Sequence, residues 1–221
     1  MASESTPASP VPERIRGQRD PEATQRALLT AAVAEFAEKG LAGARVDEIA
    51  RRAGVNKQLV YHHFGNKEEL YGVALEQVYA GIRAQEQALQ LGDLPPLAAM
   101  ERLIGFSFDY LVEHPEFVAL LNDENRQGAP HVRGSGRLQE MQSPLIALIG
   151  QTLERGGQDG VFRTDMDPVD VYISIAALSY FYFSNNRTLS AIFGRELGSA
   201  RAVSARRRHV IAFALAALRP D

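Results

Sequence analysis

Lys57, Gln58 and Tyr61 are the side chains whose types and spacing first suggest chemistry. Lys57 and Gln58 are adjacent, and Tyr61 follows one turn later on the same face of a helix. A glutamine amide pairs in bidentate fashion with an adenine edge, and a lysine ammonium reaches guanine acceptors or a phosphate. A tyrosine hydroxyl suits a phosphate, and its ring suits a thymine methyl. His62 adds a phosphate contact. Lys67, in the first turn of the next helix, clamps a phosphate together with backbone N–H groups there. Arg45, just before the preceding helix, reaches the nucleic-acid backbone. Catalytic chemistry lacks comparable support. The chain has no cysteine, no metal-spaced histidines, no Gly-rich phosphate loop and no G-x-S-x-G elbow. His62 and His63 are adjacent and cannot share one helical face as metal ligands. Asp123 and Glu124 are also adjacent and point to different sides of a helix, which makes them poor acid–base partners.

These side chains need a frame. Asp20-Pro21 opens a helix, because aspartate caps free N–H groups and proline suits the first helical position. Leu28, Leu29, Ala32, Val33 and Phe36 recur at helical spacing, and Lys39-Gly40 stops the run. A short second helix spans about 46–53, with Ile49 and Ala50 facing a small core. Gly54 supplies the turn, which Ala53 and Val55 pack. Asn56 caps a third helix to about Phe64, whose Leu59, Val60 and Phe64 face inward while His63 is partly buried. Asn66-Lys67-Glu68-Glu69 has the form of a capping box and opens a fourth helix to about Gln90.

Net charge is −3, but its distribution matters more than the sum. Between Gly40 and Lys67 five cations face two anions, whereas from Gly72 onward 14 cations face 17 anions. The basic part coincides with the short helices. No apolar run is long enough for a transmembrane helix, and the first residues lack the apolar core of a secretory signal, so a cytoplasmic protein is expected. Residues 1–19 read as a disordered N-terminal arm. Its Arg14, Arg16 and Arg19 form a solvated tail, or alternatively touch phosphate or a minor groove.

Residues 24–71 resemble the DNA-binding domain of the tetracycline-repressor (TetR) family. The resemblance rests on AVAEFAEKG (32–40), VDEIARRAGV (46–55), YHHF (61–64) and GNKEEL (65–70), in the family's order. One departure is Arg45, where the family carries a Thr or Ser cap that also touches phosphate. The resemblance implies an all-α protein. A helix-turn-helix DNA-binding domain would occupy 20–71, and a helical ligand-binding and dimerisation domain 72–221. It implies a homodimer on double-stranded DNA with a palindromic operator, a repressor released by a small-molecule effector, and no cofactor, metal or membrane. The alternative is a helical DNA-binding module without a small-molecule inducer, constitutive or partner-regulated.

In the second part, helices are expected from Pro96 to about Glu113, from His114-Pro115 to about Arg126, up to about Arg155, from Pro168 to about Phe183, and over about 204–218. GAPHVRGSG is expected to be a loop. Ile173, Ala176, Ala177, Tyr180 and Phe181, with Ile211, Ala214, Leu215 and Leu218, form the expected dimer surface, and Arg206-Arg207-Arg208 a solvated face. The candidate effector site combines Phe106, Tyr110, Phe117, Leu121, Tyr172 and Phe183 with the polar Asn122, Asn125, Arg126 and Asn185. Residues 114–128 and 184–194 are similar to the TetR branch that contains the pyrimidine-utilisation regulator.

Overall fold

The computed structural model describes residues 20–220, so the arginines of the proposed N-terminal arm lie outside the described residues. Eleven α-helices and one 3-10 turn make up the regular structure there, and no strand occurs among the described residues. No described helix is long and apolar enough to cross a membrane.

Helix α1 (Pro21–Gly43) begins where Asp20 accepts a hydrogen bond from the Glu22 N–H. Gly40 interrupts it with φ 67° and ψ 173°, a conformation open to glycine and strained for other residues. A Cβ there would also lie 2.8 Å from the Asp123 carboxylate, so glycine is required twice over. Helices α2 (Val46–Ala53) and α3 (Lys57–Phe64) meet at Gly54, which is left-handed. Asn56 caps α3 by accepting from the Gln58 N–H. Asn66 caps α4 (Lys67–Ala88) by accepting from the Glu69 N–H at 2.9 Å. Arg45 makes no side-chain cap on α2, as the departure at that position predicted.

After a 3-10 turn (Leu91–Asp93) come α5 (Pro96–Glu113), α6 (Pro115–Arg126), α7 (Pro130–Gly134) and α8 (Gly136–Gln158). The chain closes with α9 (Pro168–Ser184), α10 (Asn186–Phe193) and α11 (Ala200–Leu218). Two elements depart from expectation. The stretch read as a loop contains α7, and α10 lies in a segment to which no helix was assigned. The last helix also starts four residues earlier than expected, where Ser199 accepts from the Ala202 N–H.

Two apolar cores form. One joins Leu28, Phe36, Ile49, Val60, Leu70 and Tyr71 to Tyr110, Phe117 and Leu120, so α6 shares a core with the first four helices. The other gathers Met100, Ile104, Phe108, Ile149, Ile175 and Val210 from α5, α8, α9 and α11, with Phe162 from the α8–α9 connection. Asp123 fastens α6 to α1: its buried carboxylate accepts from the Leu41 N–H at 2.7 Å. Glu124 turns the other way and accepts from the N–H groups of His131 and Val132 at the start of α7.

Candidate nucleic-acid interface

Helix α3 buries Val60 and Phe64, half-buries Leu59, and leaves Lys57, Gln58, Tyr61 and His62 exposed. Tyr61 keeps 46% of its surface, an unusual exposure for so large a side chain that no packing demand explains. Lys57 Nζ lies 5.8 Å from the Tyr61 ring centroid, so the two share one outward face, with Gln58 beside Lys57.

Helix α2 is braced from α1. Glu35 is buried and accepts from the Arg45 N–H at 3.3 Å, while Arg52 lies 3.1 Å from its other oxygen. Arg52 also forms a two-pronged pair with Glu38 at 2.9 and 2.7 Å and bonds Glu48 at 3.2 Å. Hydrogen bonding from Arg51, with a lesser part from Arg52, holds the Glu48 carboxyl down to about 2 against the cost of its desolvation. Of the five local cations, Arg52 is therefore engaged in bracing and Arg51 pairs within α2. Sequence reasoning missed this network because Glu35 occupies a core-facing position of α1 that periodicity assigns to an apolar side chain.

Arg45, Lys57 and Lys67 remain at the surface beside α3. Arg45 pairs loosely with Asp47 at 3.6 Å, and Lys57 forms a closer pair with the same carboxylate. Lys57 and then Arg45 hold Asp47 below the usual carboxylate range. Lys67 is half-buried at the start of α4 and donates to the Ala44 carbonyl at 3.4 Å. The six sequence-proposed contacts thus occupy α3 and the leading ends of α2 and α4.

Two models of known families account for most of the chain. Residues 28–74 match the model of bacterial regulatory proteins of the tetR family, and residues 96–213 match the tetracyclin repressor-like C-terminal domain. The chain belongs to the TetR family. It is a DNA-binding transcriptional regulator and not an enzyme. Members of this family bind DNA, act as dimers and bind small-molecule effectors. The chain is 36% identical over 179 residues to the HTH-type transcriptional repressor NicS of Pseudomonas putida, covering 81% of this chain and 84% of that one. It is 29% identical over 177 residues to the HTH-type transcriptional regulator RutR of Escherichia coli K12, covering 79% and 81%. Among solved structures it is similar to the putative transcriptional regulator SCO4942 of Streptomyces coelicolor. That match has a TM-score of 0.67 and 26% identity, and covers 89% of this chain and 99% of that one.

The second half of this TetR-family chain separates residues that the sequence grouped together. Phe106 and Tyr110 line a groove of about 600 Å³ beside Asp109 and Arg207. Tyr172 meets Arg83 of α4, which donates to its hydroxyl at 3.3 Å. Asn122 accepts from the Tyr180 hydroxyl at 2.6 Å, Arg126 pairs with Asp123, and Asn125 is exposed at the end of α6. Asn185 donates to the Phe181 carbonyl at the end of α9. The arginine run is not simply a solvated face. Arg207 grips Asp109 of α5 through two 2.7 Å bonds, and Arg206 donates to the Leu178 carbonyl at 3.0 Å.

The expected dimer surface divides in the same way. Ile173 and Phe181 are exposed on α9, but Ala214 and Leu218 face the chain's own core. On α11 it is Phe213 that points outward, stacked on His209. A groove of about 760 Å³ runs between α9 and α11, with Ala177, Phe181, Phe213 and Ala217 along it.

Proposed function

We propose that this chain represses transcription from a palindromic operator, which it binds as a homodimer and leaves when a small molecule occupies its C-terminal half. The observation that carries this reading is the outward face of α3, where Lys57, Gln58 and Tyr61 stand exposed on a helix capped by Asn56 and seated through buried Val60 and Phe64. Residues 20–71 act as the reading head and 72–221 as the dimerisation and effector unit, working in the cytoplasm. Two copies of α3 enter successive major grooves, about 34–36 Å apart. Gln58 and Lys57 read base edges, while Arg45, Tyr61, His62 and Lys67 hold the backbone. The dimer forms through the outward face of α9 and α11. Exposed Ile173, Phe181 and Phe213 supply its apolar centre, and small alanines between them allow close approach.

Release needs a rigid link between the two ends. Helix α4 supports this: Lys67 abuts the reading head, and Arg83 lies sixteen residues later, about 24 Å along the axis. A ligand that prefers one tilt of α4 shifts the dimer between DNA-bound and free states by its difference in affinity for the two.

The test is selection of binding sites from a random DNA pool at low and physiological salt. A palindromic consensus with one-turn half-site spacing is expected. Binding without a consensus, vanishing as salt rises, would overturn the reading.

A further inference from the structure

Helix α4 buries two charges inside the C-terminal half that neither DNA reading nor dimerisation uses. Arg83 is 7% exposed at its side chain and Glu86 5%. Both line a pocket of about 210 Å³ that opens to the surface beside Gln87 and Gln90, with Leu91 of the 3-10 turn and Met141, Leu145 and Leu148 of α8 as its apolar walls. The lining thus combines two charged side chains with apolar ones.

The guanidinium is under-used. Its Nε has no hydrogen-bond partner, and one Nη donates to the Tyr172 hydroxyl at a long 3.3 Å. The other Nη lies 2.6 Å from a Glu86 oxygen, off the angle that a hydrogen bond requires. The Tyr172 ring centroid is 5.8 Å away and covers one face. Guanidinium offers five donors in a planar fork whose natural partner is a carboxylate. A buried fork that is ion-paired to Glu86 but leaves Nε and one Nη without a hydrogen bond costs stability, and an apolar side chain of similar volume would fit more cheaply. The open Nε is a donor that a ligand could satisfy.

We propose that Arg83 holds the carboxylate of the effector, a small monocarboxylic acid with one ring or a short chain whose apolar part lies against Met141, Leu145 and Leu148. The assignment rests on the reading of the C-terminal half as an effector site. The size of the cavity sets the size of the acid, since at about 30 Å³ per water it has room for roughly seven waters. Charge balance points the same way. Burial pushes the Glu86 carboxyl up to about 7, with Arg83 opposing, so a proton at Glu86 leaves the pair with a single positive charge to meet a single negative one.

The experiment is calorimetric titration of the purified full chain, without DNA, with benzoate, phenylacetate and hexanoate, each against its neutral amide. At least one acid is expected to bind ten-fold or more tightly than its amide. Arg83→Gln should erase that difference, and Arg83→Lys should keep part of it. Folding of each variant is checked by helical circular dichroism. Should the Gln variant fail to fold, the acid–amide comparison on the wild type and the Lys variant decides. Acids that bind no tighter than their amides, or a preference that survives loss of the guanidinium, would overturn the assignment. Operator release is measured separately. An acid that binds through Arg83 without releasing DNA leaves the carboxylate site standing and overturns the release reading instead.

Discussion

The buried carboxylate of Asp123 on α6 accepts the backbone N–H of Leu41, the residue after the break in α1, at 2.7 Å. It also accepts from Gln127 at 3.0 Å and pairs with Arg126. The contact joins the effector half to the reading head at the point where α1 gives way to the α2 lead-in. Asp123→Ala should therefore lower stability by about 1–3 kcal/mol, the cost of stranding a buried N–H. Asp123→Asn keeps an acceptor and should cost less. Urea unfolding of both variants measures this, and equal losses would show that the ion pair with Arg126 matters more than the bond to Leu41.

Substitutions on α3 should separate reading from holding. Gln58→Ala should relax base preference at one position of each half-site, by about 1–3 kcal/mol. Lys67→Ala should weaken binding evenly across sequences and reduce the salt slope by about 1. Titrations of operator and scrambled duplexes at several salt concentrations distinguish the two, and an unchanged preference in Gln58→Ala would remove that residue from the reading set.

Asp47 pairs with both Arg45 and Lys57, two of the cations proposed to meet DNA. Asp47→Asn should free both cations and raise affinity for DNA of any sequence severalfold at low salt, with the gain shrinking as salt rises. Weaker binding by this variant would mean that the carboxylate orients Lys57 rather than competing for it.

Glu86 gives stability a pH dependence. Its carboxyl is raised from 4.5 to about 7 by burial, so between these values the folded chain binds more protons than the unfolded one. Stability is then full below about pH 4.5 and falls as pH rises to about 7. The shift amounts to roughly 3 kcal/mol at 1.36 kcal/mol per unit. Unfolding curves at pH 5, 6, 7 and 8 should show this fall in the wild type and lack it in Glu86→Gln. Parallel profiles in the two proteins would place the titration elsewhere.

Phe181→Glu puts a charge on the outward face of α9 and should give a monomer by sedimentation, with operator affinity lost in parallel. A dimer that persists would move the interface off α9.

The reading head was legible in the sequence because its signals are local. Asp20-Pro21, Asn56 and the Asn66–Glu69 box each cap the helix that follows them. What failed to show depends on distant partners. Helix α7 has five residues rich in turn formers, and it forms where the Glu124 carboxylate, seven residues back, accepts its first N–H groups. Helix α10 buries no residue, so it presents no core-facing stripe. On α11 the apolar residues run nearly all round, and only packing decided that Val210, Ala214 and Leu218 face inward while Phe213 faces out. The effector candidates were chosen by residue type. Arg83 and Glu86 were overlooked although Val78, Ile82 and Glu86 fall on one buried stripe of α4, where a charge is out of place.

The bracing of α2 by Glu35 has an evolutionary corollary. The scaffold is held by residues of α1 and by the buried side of α3, so the side chains of Gln58 and Tyr61 lie outside it and Lys57 adds only its pair with Asp47. A lineage could exchange those three for others and acquire a new operator without compensating changes elsewhere. On the proposed reading, the recognition surface would act as an interchangeable cassette on a fixed mount, letting one response apparatus serve many promoters.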